Sequence, residues 1–145
     1  MSQRIYFFAA GIPKGAPRPR RSIHGGVYVP ATAASFEEAI HVAALRFRPK
    51  TPYTQACSIY FTCWFPHPKS HYKISKKSGT TLRTDAPAIY IGKPDVDNIA
   101  KVIMDTLTAM GFISDDAHVC ELHGKKLYAP PKYEIGTSIA LTVAT

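Results

Sequence analysis

The sequence predicts an α+β fold, a mixed β-sheet packed against two main helices within a single domain spanning residues 1–145. Three observations lead there. Two segments repeat their apolar residues at helical spacing, four others are strand-length runs rich in apolar, β-branched and aromatic residues, and 145 residues suffice for one core but hardly for two.

Residues 3–10, ending Ile5-Tyr6-Phe7-Phe8-Ala9-Ala10, read as a buried strand. The run is too short for a secretion signal and is followed by basic sequence. No stretch approaches the roughly 18 apolar residues needed to span a bilayer, so the expected setting is cytoplasmic, with no membrane partner. From Gly11 to Arg21, prolines and glycines stop any ladder and leave a basic loop. Its Lys14, Arg18, Arg20 and Arg21 are candidates to grip phosphates, the plain alternative being a solvated charge run. Gly25 to Val29 reads as a short strand or hairpin arm.

Ser35-x-x-Glu38 has the pattern of a capping box opening the first helix. Phe36, Ala39, Ile40, Ala43 and Phe47 form its apolar face, Pro49 stops it, and its role is scaffold. Gln55 to Phe65 is rich in β-branched and aromatic residues and predicts a buried strand. Between Pro66 and Lys93 all periodicity is lost, which predicts a basic flexible loop over 66–93. Lys69, Lys73, Lys76, Lys77, Arg83 and Lys93 face the single acid Asp85 there, interleaved with His67, His71 and Tyr72. That composition suits a nucleic-acid arm better than a bare linker. The second helix runs from about 95 to 110, its apolar face carrying Ile99, Val102, Ile103, Thr106, Leu107 and Met110, with Gly111 placed for a C-cap. Ala117 to Tyr128 and Tyr133 to Val143 read as strands, expected to be hairpin partners around Pro130-Pro131. Cys57, Cys63 and Cys120 are odd in number and lack C-x-x-C spacing, which argues against a disulfide framework or zinc site and for buried thiols in a reducing compartment.

The charge distribution singles out the second helix. The chain carries a formal net charge of +8, yet five of its ten acids lie between Asp95 and Asp116. Diffuse positive charge favours polyanions such as nucleic acid, whereas a tight group of acids asks for a cation. Asp95 and Asp97 stand at the helix entrance, and Asp115 or Asp116 would complete a set of oxygen ligands for magnesium, with manganese as a substitute. Lys101, one turn after Asp97 on the same face, is placed to hold a scissile phosphate. Each piece also has an innocent reading: a helix cap, an ordinary i, i+4 pair and a polar turn.

The segment from Lys93 to Leu107, Lys-Pro-Asp-Val-Asp-Asn-Ile-Ala-Lys-Val-Ile-Met-Asp-Thr-Leu, followed by Gly111-Phe112 and then Asp115-Asp116-Ala117-His118-Val119, resembles the signature of the RusA family of Holliday junction resolvases. Pro13 to Arg20, with Tyr28-Val29-Pro30 after it, is similar to the start of the phage-type members. The resemblance implies a RusA-like fold and a bacterial or phage-encoded protein. It implies Asp95, Asp97, Lys101 and Asp116 as catalytic residues with Asp115 as a supporting acid, and a magnesium-dependent homodimer that cuts four-way DNA junctions by paired symmetric nicks. Lys125 and Lys126 resemble basic residues found beside the acids in that family and are candidate phosphate contacts, a solvated strand edge being the alternative. The stretch from Pro66 to Tyr90 is longer than in compact members. Two other functions remain open to the sequence: a non-catalytic DNA-binding module, and a related nuclease acting on flaps, forks or other branched DNA.

Overall fold

Alternation along one central strand gives the sheet its two faces. In β4 (Cys57–Phe65), Cys57, Ile59, Phe61, Cys63 and Phe65 are buried toward the helices, while Ser58, Tyr60, Thr62 and Trp64 turn to the other side. The structure, a computed structural model, describes residues 2–17, 20–28, 33–77 and 79–144. Its main sheet has the order β1-β8-β4-β7, with β1 at Ser2–Ala10, β7 at Val119–Tyr128 and β8 at Gly136–Ala144. β8 runs antiparallel to both β1 and β4, and β7 runs parallel to β4. The mixed sheet and two helices agree with the α+β prediction.

The expected pairing of β7 with β8 is not made, because β4 lies between them. Burial gives the reason. β8 is buried from Gly136 to Leu141 and needs neighbours on both sides, whereas β7 is exposed from Cys120 to Lys125 and suits an edge. A parallel neighbour requires a long crossover, which residues 66–118 supply.

Helix α1 (Ala34–Ala44), continued by a 3-10 turn at Leu45–Phe47, lays Phe36, Ile40 and Ala44 into the core. Its N-cap is Ala33, which makes no side-chain cap bond, so the capping box expected at Ser35 does not form. The helix starts before Ser35 and leaves that hydroxyl inside the first turn. Helix α2 (Val96–Ala109) buries Ile99, Ala100, Val102, Ile103 and Leu107. Gly111 ends it at φ 84°, where the Gly111 and Phe112 N–H groups donate to Thr108 and Leu107 at 3.1 and 2.9 Å and the Phe112 ring is buried.

Two hairpins stand outside the main sheet. β2 (Arg20–Arg21) pairs with β3 (Val27–Tyr28), as the hairpin-arm reading expects. β5 (Tyr72–Ser75) pairs with β6 (Gly79–Leu82), so the stretch expected as a loop over 66–93 holds a defined hairpin. Its return limb runs beside the outer edge of β7, where Tyr128 N–H donates to Ala88 at 2.8 Å and Ile89 bridges Leu127. Cys57 and Cys63 are buried, but Cys120 is exposed, contrary to the expectation of three buried thiols; it sits where the β4–β7 register shifts. Among the described residues, no helix is long and apolar enough to cross a membrane.

Candidate active site

The polar face of α2, the turn after it and the inward face of β7 meet in an open groove. Asp97, Ala100, Lys101, Met104 and Asp105 from α2, Asp116 from the turn and Leu122 from β7 line a hollow of about 250 Å³. Helical spacing explains the α2 set, since positions four apart share a face. Asp116 joins them because the chain reverses at Gly111 and opens a 3-10 turn, Asp116–His118, that leads into β7. A wider hollow, about 590 Å³ between α1 and α2, takes in Asp105 but no predicted site residue. The donor set, not the size, marks the smaller groove.

The predicted site residues divide. Asp97, Lys101 and Asp116 line the same groove. Asp95 is the N-cap residue of α2, yet its carboxylate does not line the groove and makes no cap bond; it accepts from the Lys93 ammonium at 2.9 Å. Asp115 caps the 3-10 turn instead, accepting from Ala117 N–H at 2.8 Å. That backbone bond, and then the neighbouring Asp116, hold its carboxyl below the usual carboxylate range. Asp115 lines an adjoining hollow with Asp105, Thr108, Ser114 and Asp116. Asp105 and Asp116 therefore line both this hollow and the groove.

Asp105 is the acid that sequence reasoning passed over. Lys101 donates to its carboxylate at 3.0 Å rather than turning to Asp97. The signal was present, since Asp105 stands four residues after Lys101 and eight after Asp97 on the polar face. Among the described residues, no three His, Cys, Asp or Glu side chains already stand as a metal-binding group. The available donors are all carboxylate oxygens, the chemistry that suits a hard divalent cation.

The candidate DNA contacts are scattered over several surfaces. Lys14 is exposed on a loop that packs against the α2 entrance, where Ala16 N–H donates to Asn98 O at 3.0 Å. Gly15 allows that approach, because a Cβ there would lie 2.8 Å from Pro94 Cβ and 3.0 Å from Asn98 Cβ. Arg21 is exposed on β2. Arg18 and the Pro19 and Val29-Pro30 of the resemblance lie outside the described residues, as does the side chain of Arg20. Lys69 on a 3-10 turn, Lys73 on β5 and Lys76 and Lys77 at the hairpin tip are exposed, beside the 87% exposed Ile74.

Lys93 is paired with Asp95. Lys125 and Lys126, both candidate phosphate contacts, point to opposite faces of β7, as strand alternation requires. Lys125 lines a hollow on the face away from the helices, with Arg4, Tyr6, Tyr60 and His123. Lys126 faces α2, and its ammonium donates to backbone carbonyls of Gly92 and Pro94. His67 and His71 contact each other through their Nδ1 atoms at 2.8 Å, and the His67 ring stacks on Tyr128.

An open groove of carboxylates with one ammonium in its wall, carried by a strongly basic chain, has the makings of a phosphodiester-hydrolysing site. A profile described as endodeoxyribonuclease RusA matches residues 10–137. The chain is also 32% identical over 139 residues to the uncharacterised protein YqaN of Bacillus subtilis (strain 168), covering 90% of this chain and 93% of that protein. The chain belongs to the RusA family of endodeoxyribonucleases.

Proposed function

We propose that this chain is a magnesium-dependent, structure-specific endodeoxyribonuclease that acts as a homodimer and resolves four-way DNA junctions by paired symmetric nicks. The observation that supports this most is the convergence of Asp97, Lys101, Asp105 and Asp116 on one groove. Asp97 and Asp116 are the residues that would hold magnesium or manganese, with Asp105 beside them, Asp115 in the adjoining hollow and Asp95 at the N-cap of α2. A bound ion of this kind neutralises phosphate charge and makes water a better nucleophile.

Lys101 supplies the fixed positive charge. Its present partner is an exposed i, i+4 carboxylate, a pairing worth only about 0.3–0.5 kcal/mol, so the ammonium transfers readily to a phosphate oxygen. Lys14 and Arg21, Lys69 on its 3-10 turn, and Lys73, Lys76 and Lys77 on the β5–β6 hairpin draw the DNA backbone in by counterion release, with Arg18 and Arg20 as further candidate phosphate contacts. A junction presents equivalent strands, and a twofold dimer with one groove per subunit matches them.

The test is magnesium-dependent cleavage of a four-way junction compared with linear duplex and single strands. Preferential paired nicking of the junction supports the proposal. Equal cutting of all three makes the protein a general nuclease, preference for flaps or forks reassigns its substrate, and intact DNA throughout leaves a binding module.

A further inference from the structure

We infer that Lys126 and Tyr90 form a clamp that fixes the approach to α2, and with it Asp95 and Asp97, so that Lys126 is a positioning residue and not a phosphate contact; the inference rests on reading the groove as the catalytic site. Three successive carbonyls before the helix are each taken by a side chain from the sheet side. The Lys126 ammonium donates to Gly92 O at 2.8 Å and to Pro94 O at 2.9 Å, and the Tyr90 hydroxyl donates to Lys93 O between them.

The donors are themselves held. The Tyr90 ring stacks on the buried Phe65 ring with centroids 3.9 Å apart and planes 9° apart, and meets Tyr128 edge-on at 5.2 Å. Tyr90 N–H donates to the Lys126 carbonyl at 3.1 Å, and the ammonium of Lys126 lies 5.4 Å from the Tyr90 ring centre.

This geometry decides what Lys126 can do. An ammonium has three donors, and two are spent on carbonyls. Residues 91–95 belong to no strand, and Gly92 and Lys93 are exposed, so side-chain donors are what tie this segment to β7. Asp97 follows Pro94 by three residues, in the first turn of α2. On the other side, Ala16 and Gly15 press against Asn98 and Pro94, so the helix entrance is gripped between the basic loop and the sheet. Supports of this kind around a charged site typically change metal affinity or activity about 10- to 100-fold when removed.

The test is Lys126→Met, which keeps an unbranched stem as long as the lysine's own carbon chain and removes its donors. The expected result is faster hydrogen–deuterium exchange over residues 92–98 and about 10- to 100-fold slower junction cleavage. Junction affinity and its salt slope should stay as in the wild type. Weaker binding to every DNA with a salt slope reduced by about one, alongside wild-type exchange, would overturn the clamp and restore Lys126 as a phosphate contact. Should Lys126→Met fail to fold, Tyr90→Phe removes only the bond to Lys93 O. Faster exchange over the same residues then supports the clamp, and wild-type exchange overturns it. Asp97→Asn, run alongside, isolates the underlying reading: if that variant still cuts, the groove is not the catalytic site, while the exchange data decide the clamp on their own.

Discussion

Gly15→Ala probes the other side of the helix entrance, and its size can be worked from the geometry. The new Cβ would stand 2.8 Å from Pro94 Cβ and 3.0 Å from Asn98 Cβ, both first carbons that cannot swing aside. Carbon atoms pack best at about 3.5–4.0 Å, so the loop and the approach to α2 must separate by roughly 0.7 Å. Overpacking of this kind costs ~1–3 kcal/mol, or roughly 3–9 °C in Tm for a domain of this size. A displacement approaching 1 Å at a catalytic constellation lowers turnover by about 100-fold. The assay is thermal unfolding together with junction cleavage, with Gly26→Ala as control, since a Cβ there meets nothing closer than Ser22 Oγ at 3.4 Å. A Gly15→Ala protein that melts and cuts like the wild type would refute the close-approach reasoning.

Other outcomes follow from the same structure. Asp105→Asn should change stability by no more than about 0.5 kcal/mol, because its ion pair with Lys101 is exposed, yet slow cleavage about 10-fold or more; unfolding and single-turnover assays separate the two. Burial pushes the Cys63 thiol up to about 11 and raises that of Cys57, which the adjacent Cys120 raises further, so only the exposed Cys120 should react promptly with a disulfide reagent at pH 8. All three thiols should react after unfolding, and three prompt equivalents in the folded protein would contradict the packing. The folded Asp115 carboxyl titrates below its unfolded value near 3.9, so its cap contributes fully above about pH 4 and is lost as pH falls through the lower, folded value. The Tm difference between wild type and Asp115→Ala should therefore stay constant from pH 7 to 5 and shrink in more acidic solution.

What could be read from the sequence depended on how local each signal was. Helix α2 was legible because its apolar face and its glycine cap sit within one stretch, and two of the groove acids, Asp97 and Asp105, lie along its opposite, polar face. The pairing of β7 was not legible, since its partner β4 begins more than sixty positions earlier and nothing local distinguishes a parallel edge from a hairpin. The β5–β6 hairpin escaped because its four-residue strands bury no face, so alternation leaves no apolar trace. Strand period alone would have separated Lys125 from Lys126. The clamp required tertiary knowledge, as Tyr90 and Lys126 meet the carbonyls of Gly92 to Pro94 only once β7 lies beside that segment. The family was suggested by the resemblance of Lys93–Leu107, with Gly111-Phe112 and Asp115 to Val119, to the RusA signature, and the profile match bears that resemblance out.

The most direct measurement is magnesium-dependent junction cleavage by Asp97→Asn and Asp116→Asn, each compared with the wild type for junction binding in calcium. The account predicts that both variants bind the junction normally and leave it uncut. Wild-type cutting by either one would contradict it.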